Sequence, residues 1–364
     1  MKIAIVLPGG VDRSGEERII PAFVALIARL ARRHSVHVFA LHQEPLPASW
    51  SLVGATIHNI GAGRTVWRAI QAIRAEHHLG PFDVVQAIFS GHCGLIAVAA
   101  AKLLGRPSLV HIAGGELVAL ASIDYGGRRK WRGRLREALV LRAADVVTAA
   151  SAPILAALSG LGIRAQRVPL GVDTADWETL APRARGSGPI RFVHVASLNR
   201  VKDQPTLLRA LAKLAKAGVD FELRIVGVDT LDGDIHHLAR DLGLEQRIHF
   251  LGFRTQRELR PLMASADLLV MSSLHEAGPL ALLEAAVAGV PSVGTAVGHF
   301  VEWAPDAALA VPVGDADALA NAISQLTDDD GLRMRIAAEA QRRALAEDAD
   351  HTAASFQALY ANLV

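Results

Sequence analysis

Short apolar runs and amphipathic stretches alternate through the first half of the chain. The opening run KIAIVL ends at Pro8-Gly9-Gly10, and apolar residues then recur at helical spacing from Glu16 to Arg33. Regular alternation of this kind predicts right-handed βαβ crossovers and a doubly wound parallel sheet. The further predicted strands are 36–41, 84–89, 108–112 and 146–150, and the further predicted helices are 67–77, 92–104, a basic helix within 128–142 and a helix after Ser151.

The alternation of apolar runs and amphipathic stretches lapses between Thr174 and Pro189 and resumes at Arg191. The lapse predicts an N-terminal domain over 1–173, a linker over 174–189 and a C-terminal domain over 190–349, both domains being Rossmann-like and α/β. The predicted strands of the second domain are 191–196, 221–226, 248–251, 268–271, 292–295 and 307–313, and its predicted helices are 206–216, 235–242, 256–264 and 280–288.

Composition narrows the class of protein. A chain of 364 residues that is 51% hydrophobic and has 31 glycines fits two α/β domains better than one large core. A formal net charge of +2 gives no bulk electrostatic reason to expect nucleic acid as a partner. The single cysteine, Cys93, and the absence of a basic-then-apolar leader predict a cytoplasmic protein. No apolar run reaches membrane-spanning length.

Glycines follow the first predicted strand, where a parallel sheet binds its ligands. Gly9-Gly10 and Gly15 would let backbone approach a ligand closely, although glycines that merely turn the chain are the alternative. Their spacing is not G-x-G-x-x-G, and the second strand ends in Leu41-His42-Gln43 without an acidic residue. A bound NAD is therefore disfavoured.

Lys202 lies just before a predicted helix, in the segment SLNRVKD that follows the first strand of the second domain. A lysine at this point could meet a diphosphate as a compact charge with three donors, and a solvated surface lysine is the alternative. Gly227, at the end of the strand FELRIVG, marks a second place where a nucleoside could lie close to backbone.

The stretch from Ser272 to Pro291 holds two carboxylates eight residues apart. Glu276 precedes a predicted helix, whereas Glu284 lies inside it. Gly278 and Pro279 lead into that helix at Leu280, whose first N–H groups could hold an anion. An ordinary βα turn with two solvated glutamates is the alternative.

These segments resemble the retaining GT-B glycosyltransferases of the group commonly called family 4. The most specific part is the E-x7-E signature in HEAGPLALLE, which continues as AAVAGVPSVGTAVGHFVE. It is accompanied, in the family's order, by VPLGVD, ASLNRVKDQPTLLRAL, LRIVG and RIHFLGF. The resemblance covers nearly the whole chain and implies two Rossmann-like domains that face a cleft, with residues 350–364 returning to the first domain.

The resemblance implies a nucleotide diphosphate sugar as donor and a glycan or lipid-linked saccharide as acceptor. Glu284 would bind the ribose hydroxyls, Glu276 would lie against the donor sugar, and Lys202 would meet the diphosphate as a catalytic cation. No cofactor or metal is expected, because a cation and a helix N-terminus can neutralise the leaving group and no Asp-x-Asp or His/Cys cluster argues for a metal. The other implied donor-binding residues are Gly278, Pro279, Leu280, Ser197, Arg200 and Gly227.

Two departures from the family pattern concern the phosphate and the sugar. Ser197 stands where the family usually has arginine, and Arg200 is the nearest replacement cation. Ala113 stands where a histidine is frequent in the family. His111, two residues earlier on the same strand face, is therefore a candidate catalytic residue, and His92 is another. For both, a packed or surface histidine is the alternative. The expected acceptor and phosphate loop comprises Gly10, Gly15, Gly114 and Glu116.

The segment Arg128–Arg136 holds six cations and one tryptophan in nine residues. A basic face with an interfacial aromatic could contact anionic lipid at the inner face of a membrane, whereas a solvated helix or a patch for an anionic acceptor are the alternatives. Two rival functions also remain open: a nucleotide-sugar epimerase of the same architecture, and a nucleotide-sugar-binding protein without turnover.

Overall fold

A computed structural model describes residues 1–364 as two units. The first unit comprises Met1–Asp173 and Glu347–Val364, and the second comprises Thr174–Ala346. The predicted linker 174–189 thus belongs to the second unit, where the Leu180 N–H donates to the Val287 carbonyl oxygen at 3.2 Å.

The first unit is built on an eight-stranded sheet of order β3-β4-β2-β1-β5-β6-β7-β8, in which only the β3–β4 pair is antiparallel. Its strands are β1 (Lys2–Leu7), β2 (Ser35–Ala40), β3 (Ala48–Leu52), β4 (Ala55–Asn59), β5 (Val84–Ile88), β6 (Ser108–Ile112), β7 (Val146–Ala149) and β8 (Gln166–Arg167). Its helices before the second unit are α1 (Pro21–Ala31), α2 (Thr65–Leu79), α3 (His92–Leu104), α4 (Trp131–Ala143) and α5 (Ala152–Gly160).

Two predictions for the first unit were wrong. The first helix begins at Pro21 and not at Glu16, because a proline without an N–H suits the first helical position and residues 16–20 remain in the loop. The β3–β4 hairpin was not predicted, since its strands alternate short polar and apolar residues and have no long apolar run.

The second unit has a fully parallel six-stranded sheet of order β11-β10-β9-β12-β13-β14. Its strands are β9 (Ile190–Val195), β10 (Phe221–Val226), β11 (Ile248–Gly252), β12 (Leu268–Met271), β13 (Ser292–Thr295) and β14 (Leu309–Val311). Its helices are α6 (Gln204–Lys216), α7 (Asp234–Asp241), α8 (Gln256–Ala264), α9 (Leu280–Val287), α10 (His299–Trp303), α11 (Ala316–Asp328) and α12 (Asp330–Ala346). The fold class predicted from the alternation, two parallel-sheet α/β units, is confirmed.

The last helix, α13 (Ala349–Leu363), packs in the first unit against α1. Phe356 and Tyr360 are fully buried in the core of that unit. The Thr352 hydroxyl donates to the Pro169 carbonyl oxygen at 2.7 Å and accepts from the Gly171 N–H at 2.9 Å. Helix α13 is therefore part of the first hydrophobic core.

In each sheet, the order of the strands reverses at one strand. In the first sheet β1 lies between β2 and β5, and in the second β9 lies between β10 and β12. Open parallel sheets bind ligands beyond the carboxyl ends of strands at such switch points. None of the helices combines the length and the apolar character that crossing a membrane requires.

Candidate functional site

The loops after β9 and β12 leave the switch point of the second sheet side by side. The Leu274 N–H donates to the Val201 carbonyl oxygen at 2.8 Å, and the Ser272 hydroxyl donates to the Lys202 carbonyl oxygen at 2.9 Å. These two bonds hold the lysine segment against the first glutamate of the E-x7-E signature.

Lys202 and Glu276 form an ion pair, with Lys202 Nζ 2.6 Å from Glu276 Oε1. The Ser273 hydroxyl donates to the same oxygen at 2.6 Å. The side chains are 22% and 10% exposed, so the pair is shielded from bulk water but still open to a ligand. The two residues that the sequence assigned to diphosphate and sugar therefore lie next to each other.

Glu284 projects from α9 into a buried environment and is 4% exposed. Burial raises the pKa of this carboxyl group to about 7, although a hydrogen bond from Gln256 and the nearby Arg260 act in the opposite direction. Gln256 Nε2 donates to Glu284 Oε1 at 3.1 Å, and Trp177 Nε1 donates to Gln256 Oε1 at 2.9 Å. The sequence does not indicate these partners, because no residue pattern in α8 or in the 174–189 segment shows that they lie next to α9.

Helix α9 begins at Leu280, as predicted, and Pro279 is its N-cap in an extended conformation. Gly278 is required by a neighbour that the sequence did not indicate: a Cβ added there would lie 2.7 Å from Nε2 of the buried His299. His299 opens α10, so the entry to α9 is shaped by a later helix.

The remaining predicted donor residues border the same loops. Ser197 is half-buried, and Arg200 is exposed in a short 3-10 helix that ends at Lys202. Gly227 adopts φ 154°, and a Cβ there would lie 2.0 Å from the Ala196 carbonyl oxygen. Close contact between chain segments thus accounts for Gly227 without a ligand.

The predicted acceptor loop residues lie at the carboxyl edge of the first sheet. Gly10 and Gly15 lie between β1 and α1, and Gly114 and Glu116 follow β6. Glu116 Oε1 accepts from the Ser90 N–H at 3.3 Å, while Oε2 is buried without a hydrogen-bond partner. Burial raises the pKa of Glu116 to about 7.

His111 lies one residue before the end of β6, and its side chain packs inside the first unit. The side chain is fully buried, its Nδ1 lies 2.9 Å from Thr148 Oγ1, and its ring meets Phe356 edge-on at 5.3 Å between centroids. Burial lowers its pKa to about 3, so the ring is neutral at physiological pH. The geometry supports a packing role and does not support the predicted catalytic role.

Two sequence profiles match this chain in succession. The profile described as "Glycosyl transferase 4-like domain" matches residues 19–171, and "Glycosyl transferases group 1" matches residues 176–343. Residues 176–343 therefore belong to the group 1 glycosyltransferase family, and residues 19–171 belong to the glycosyl transferase 4-like family.

Relatives of this glycosyltransferase family member agree with the assignment. It is 31% identical to glycosyltransferase EpsF of Bacillus subtilis over 230 residues, which cover 59% of this chain and 57% of that relative's length. It is 26% identical to colanic acid biosynthesis glycosyltransferase WcaL of Salmonella typhimurium over 344 residues, 91% of this chain and 81% of the relative.

Solved structures share the GT-B fold of this family member. Sucrose-phosphate synthase from Thermosynechococcus elongatus aligns with a TM-score of 0.85 and 20% identity, over 100% of this chain and 99% of that chain. Anabaena Alr3699/HepE, solved in complex with UDP-glucose, aligns with a TM-score of 0.76 and 21% identity over all of both chains.

Helix α4 presents an exposed apolar stripe. Trp131, Leu135 and Leu139 recur every fourth residue and are 62%, 52% and 60% exposed. Three cations on or next to the helix are also exposed: Lys130, Arg132 and Arg134. Other cations of the 128–136 segment have protein partners: Arg128 with Glu137, Arg129 with Asp124, and Arg136 with His92.

The first unit also has a histidine–carboxylate cluster that sequence spacing does not reveal. The ligand atoms of His37, His58 and Glu76 lie within 4.8 Å of one another, brought together from β2, β4 and α2. Lys2 Nζ lies 2.7 Å from Glu76 Oε1, so the carboxylate already has a cation beside it.

Proposed function

We propose that this protein transfers a sugar from a nucleotide diphosphate sugar to a glycan or lipid-linked saccharide, with retention at the anomeric carbon. The observation that carries the proposal is the grouping of Lys202, Glu276 and Glu284 at the switch point of the second sheet in a member of the group 1 glycosyltransferases. HepE in complex with UDP-glucose supports the donor class, and the name of WcaL supports a glycan acceptor.

In the proposed reaction, the bond between the anomeric carbon and the diphosphate oxygen breaks, and its electron pair stays on the diphosphate. An acceptor hydroxyl oxygen forms the new bond to the anomeric carbon, and its proton passes to the departing diphosphate. Lys202 stabilises the negative charge on the diphosphate, and Glu276 stabilises the positive charge that develops on the sugar ring. The ion pair between them holds both groups in position before the donor binds.

Glu284 supplies the donor affinity in this proposal. Its carboxylate accepts hydrogen bonds from the ribose hydroxyls, while Gln256 fixes its orientation. We further propose that Lys202 and the first turn of α9 neutralise the leaving group without a bound metal ion. Turnover should therefore be the same in EDTA as in buffer containing Mg²⁺.

The test of this function is donor consumption by the purified protein with panels of nucleotide sugars and acceptors. Glu284→Ala should raise the donor KM at least tenfold, and Glu276→Ala should lower kcat about 10²-fold with a smaller effect on donor binding. Lys202→Ala should do both, whereas Lys216→Ala, an exposed lysine on α6, should leave both constants unchanged.

Three outcomes would contradict the proposal. Unchanged kinetics in all three site variants would show that these residues do not have the assigned roles. Release of an epimerised nucleotide sugar without a second substrate would favour an epimerase. Nucleotide binding with no donor consumption, even by slow hydrolysis, would favour a binding protein.

We also propose that α4 contacts the anionic cytoplasmic face of a membrane, where a lipid-linked acceptor would be presented. Its apolar stripe would enter the interface, and Lys130, Arg132 and Arg134 would face the headgroups. The exposed tryptophan suits this position, because its indole is apolar and carries one polar N–H.

Sedimentation with vesicles tests the α4 proposal. The wild-type protein should bind vesicles containing phosphatidylglycerol, bind phosphatidylcholine vesicles more weakly, and lose binding as salt rises. The double variant Trp131→Ser/Leu135→Ser should reduce binding at least tenfold. Leu103→Ser is the matched control, because Leu103 is 64% exposed on α3. Equal binding of both variants would contradict the proposal.

A further inference from the structure

A cavity of about 450 Å³ opens in the first unit. This volume lies within the usual range for small-molecule sites, roughly 300–1,000 Å³. The cavity is lined by His42, Arg64, Thr65, Val66, Trp67 and His92. No acidic side chain is among them.

The topology explains why these side chains converge. His42 follows β2, Arg64 connects β4 to α2, and His92 is the first residue of α3 after β5. Strands β2, β4 and β5 all run parallel to β1 or to its neighbour, so their carboxyl ends meet at one edge of the sheet. The cavity thus lies at the edge where a parallel sheet binds ligands.

The Trp67 indole is 62% exposed beside the cavity. A large aromatic face left in water is a surface on which the apolar face of a sugar ring can stack. Since its N–H is a hydrogen-bond donor, the same side chain can also meet a sugar hydroxyl.

The polar lining favours an anion. Arg64 is exposed and holds a left-handed backbone conformation, with φ 46°, at the residue before α2. Arg136 of α4 does not line the cavity, but its Nη1 lies 3.3 Å from Nε2 of the lining residue His92. The cavity therefore offers one guanidinium, from Arg64, and two imidazoles as further hydrogen-bonding groups.

We infer that this cavity binds the acceptor as an anionic saccharide, a sugar that bears a phosphate or a carboxylate. The sugar ring stacks on Trp67, and Arg64 holds the anionic group, with His42 and His92 beside it. The assignment of the ligand as the acceptor rests on the proposed function; the binding of an anionic sugar does not.

Calorimetry without any donor tests the binding directly, with glucose 1-phosphate, glucuronate and methyl glucoside as probes. The two anionic probes should bind at least tenfold more tightly than the neutral one. Arg64→Ala should abolish this preference, and Trp67→Ala should weaken binding of all three probes at least fivefold. Arg74→Ala is the matched control, because Arg74 is exposed on the same helix and does not line the cavity.

Equal affinity for the three probes, or affinities that Arg64→Ala and Trp67→Ala leave unchanged, would overturn the inference. Because no donor is present, this failure is separable from failure of the proposed transfer. A transfer assay then distinguishes the source of the anion. Arg64→Ala should raise the acceptor KM at least tenfold either for a soluble sugar phosphate or for a prenyl-diphosphate-linked sugar in nanodiscs. An unchanged KM for both would also overturn the acceptor assignment.

Discussion

At the scale of single residues, Glu284 combines a requirement for function with a cost in stability. Its carboxyl group is buried, and its pKa of about 7 lies above the ordinary value of 4.5. Between these values the unfolded chain has lost its proton while the folded protein retains it. The free energy of unfolding therefore falls as the pH rises from 4.5 to 7. Above pH 7 the contribution of this group stays constant at its lowest value.

Glu284→Gln removes the ionisable group while keeping the shape and the contact with Gln256. The variant should unfold with a higher free energy than wild type at pH 8, by an amount on the order of 1–3 kcal/mol, and with nearly equal free energy at pH 4.5. Its donor affinity should fall at least tenfold. Urea denaturation at both pH values and donor titration give the two readouts.

Glu116→Gln is the control for the effect of carboxyl burial on stability. Its carboxyl group also has a pKa of about 7 through burial, so the variant should show the same sign of stability change. Its readout is stability alone, because Glu116 lies in the predicted acceptor and phosphate loop. A Glu284→Gln protein that is no more stable than wild type at pH 8 would contradict the account of its burial.

At the scale of elements, the entry to α9 depends on α10. Gly278 leaves the space that His299 occupies, and a methyl group there would meet the imidazole at 2.7 Å. Gly278→Ala should lower the free energy of unfolding by about 1–3 kcal/mol and weaken donor binding, because the ring or the loop must move.

Two further variants test this dependence. Gly278→Ala/His299→Ala should regain donor binding relative to Gly278→Ala alone, since the clash is removed. Gly186→Ala, where an added Cβ meets no atom within 4 Å, should leave stability and binding unchanged. The same loss of stability in both single variants would contradict the steric explanation.

The elements also show where sequence reasoning succeeds. Two strands were predicted to the residue: 221–226 shows a clear alternation of buried apolar and polar positions in FELRI, and 268–271 is a continuous buried apolar run. The β3–β4 hairpin escaped prediction, since edge strands are half exposed and carry fewer apolar residues. Pairings such as Gln256 with Glu284 could not be predicted, because spacing along a chain does not indicate which helices become neighbours.

At the scale of the whole molecule, each unit has its own sheet and its own core. The chain returns to the first unit through Glu347–Val364, and Arg29 binds both Asp173, at the end of the first segment, and Asp350, at the start of the second. These carboxylates raise the pKa of Arg29 further, so the guanidinium stays charged at any pH at which the protein folds.

In the second unit, the predicted donor residues Lys202 and Glu276 lie together after adjacent strands of one switch point, and their roles stay predictions. In the first unit, the predicted catalytic residue His111 is packed against Phe356 of α13; strand alternation indicates a face and not whether a helix covers it. The cavity beside Trp67 was not predicted, since its lining comes from three separate connections.

The most direct test of the central claim, that the second unit binds a nucleotide diphosphate sugar through Glu284, is thermal unfolding with UDP-, GDP-, ADP- and dTDP-sugars. At least one donor, supplied at about 100 times its Kd, should stabilise the wild-type protein by about 2.7 kcal/mol and raise its Tm by several degrees. Glu284→Gln should lose most of this rise. No rise with any donor, or an equal rise in Glu284→Gln, would contradict the claim.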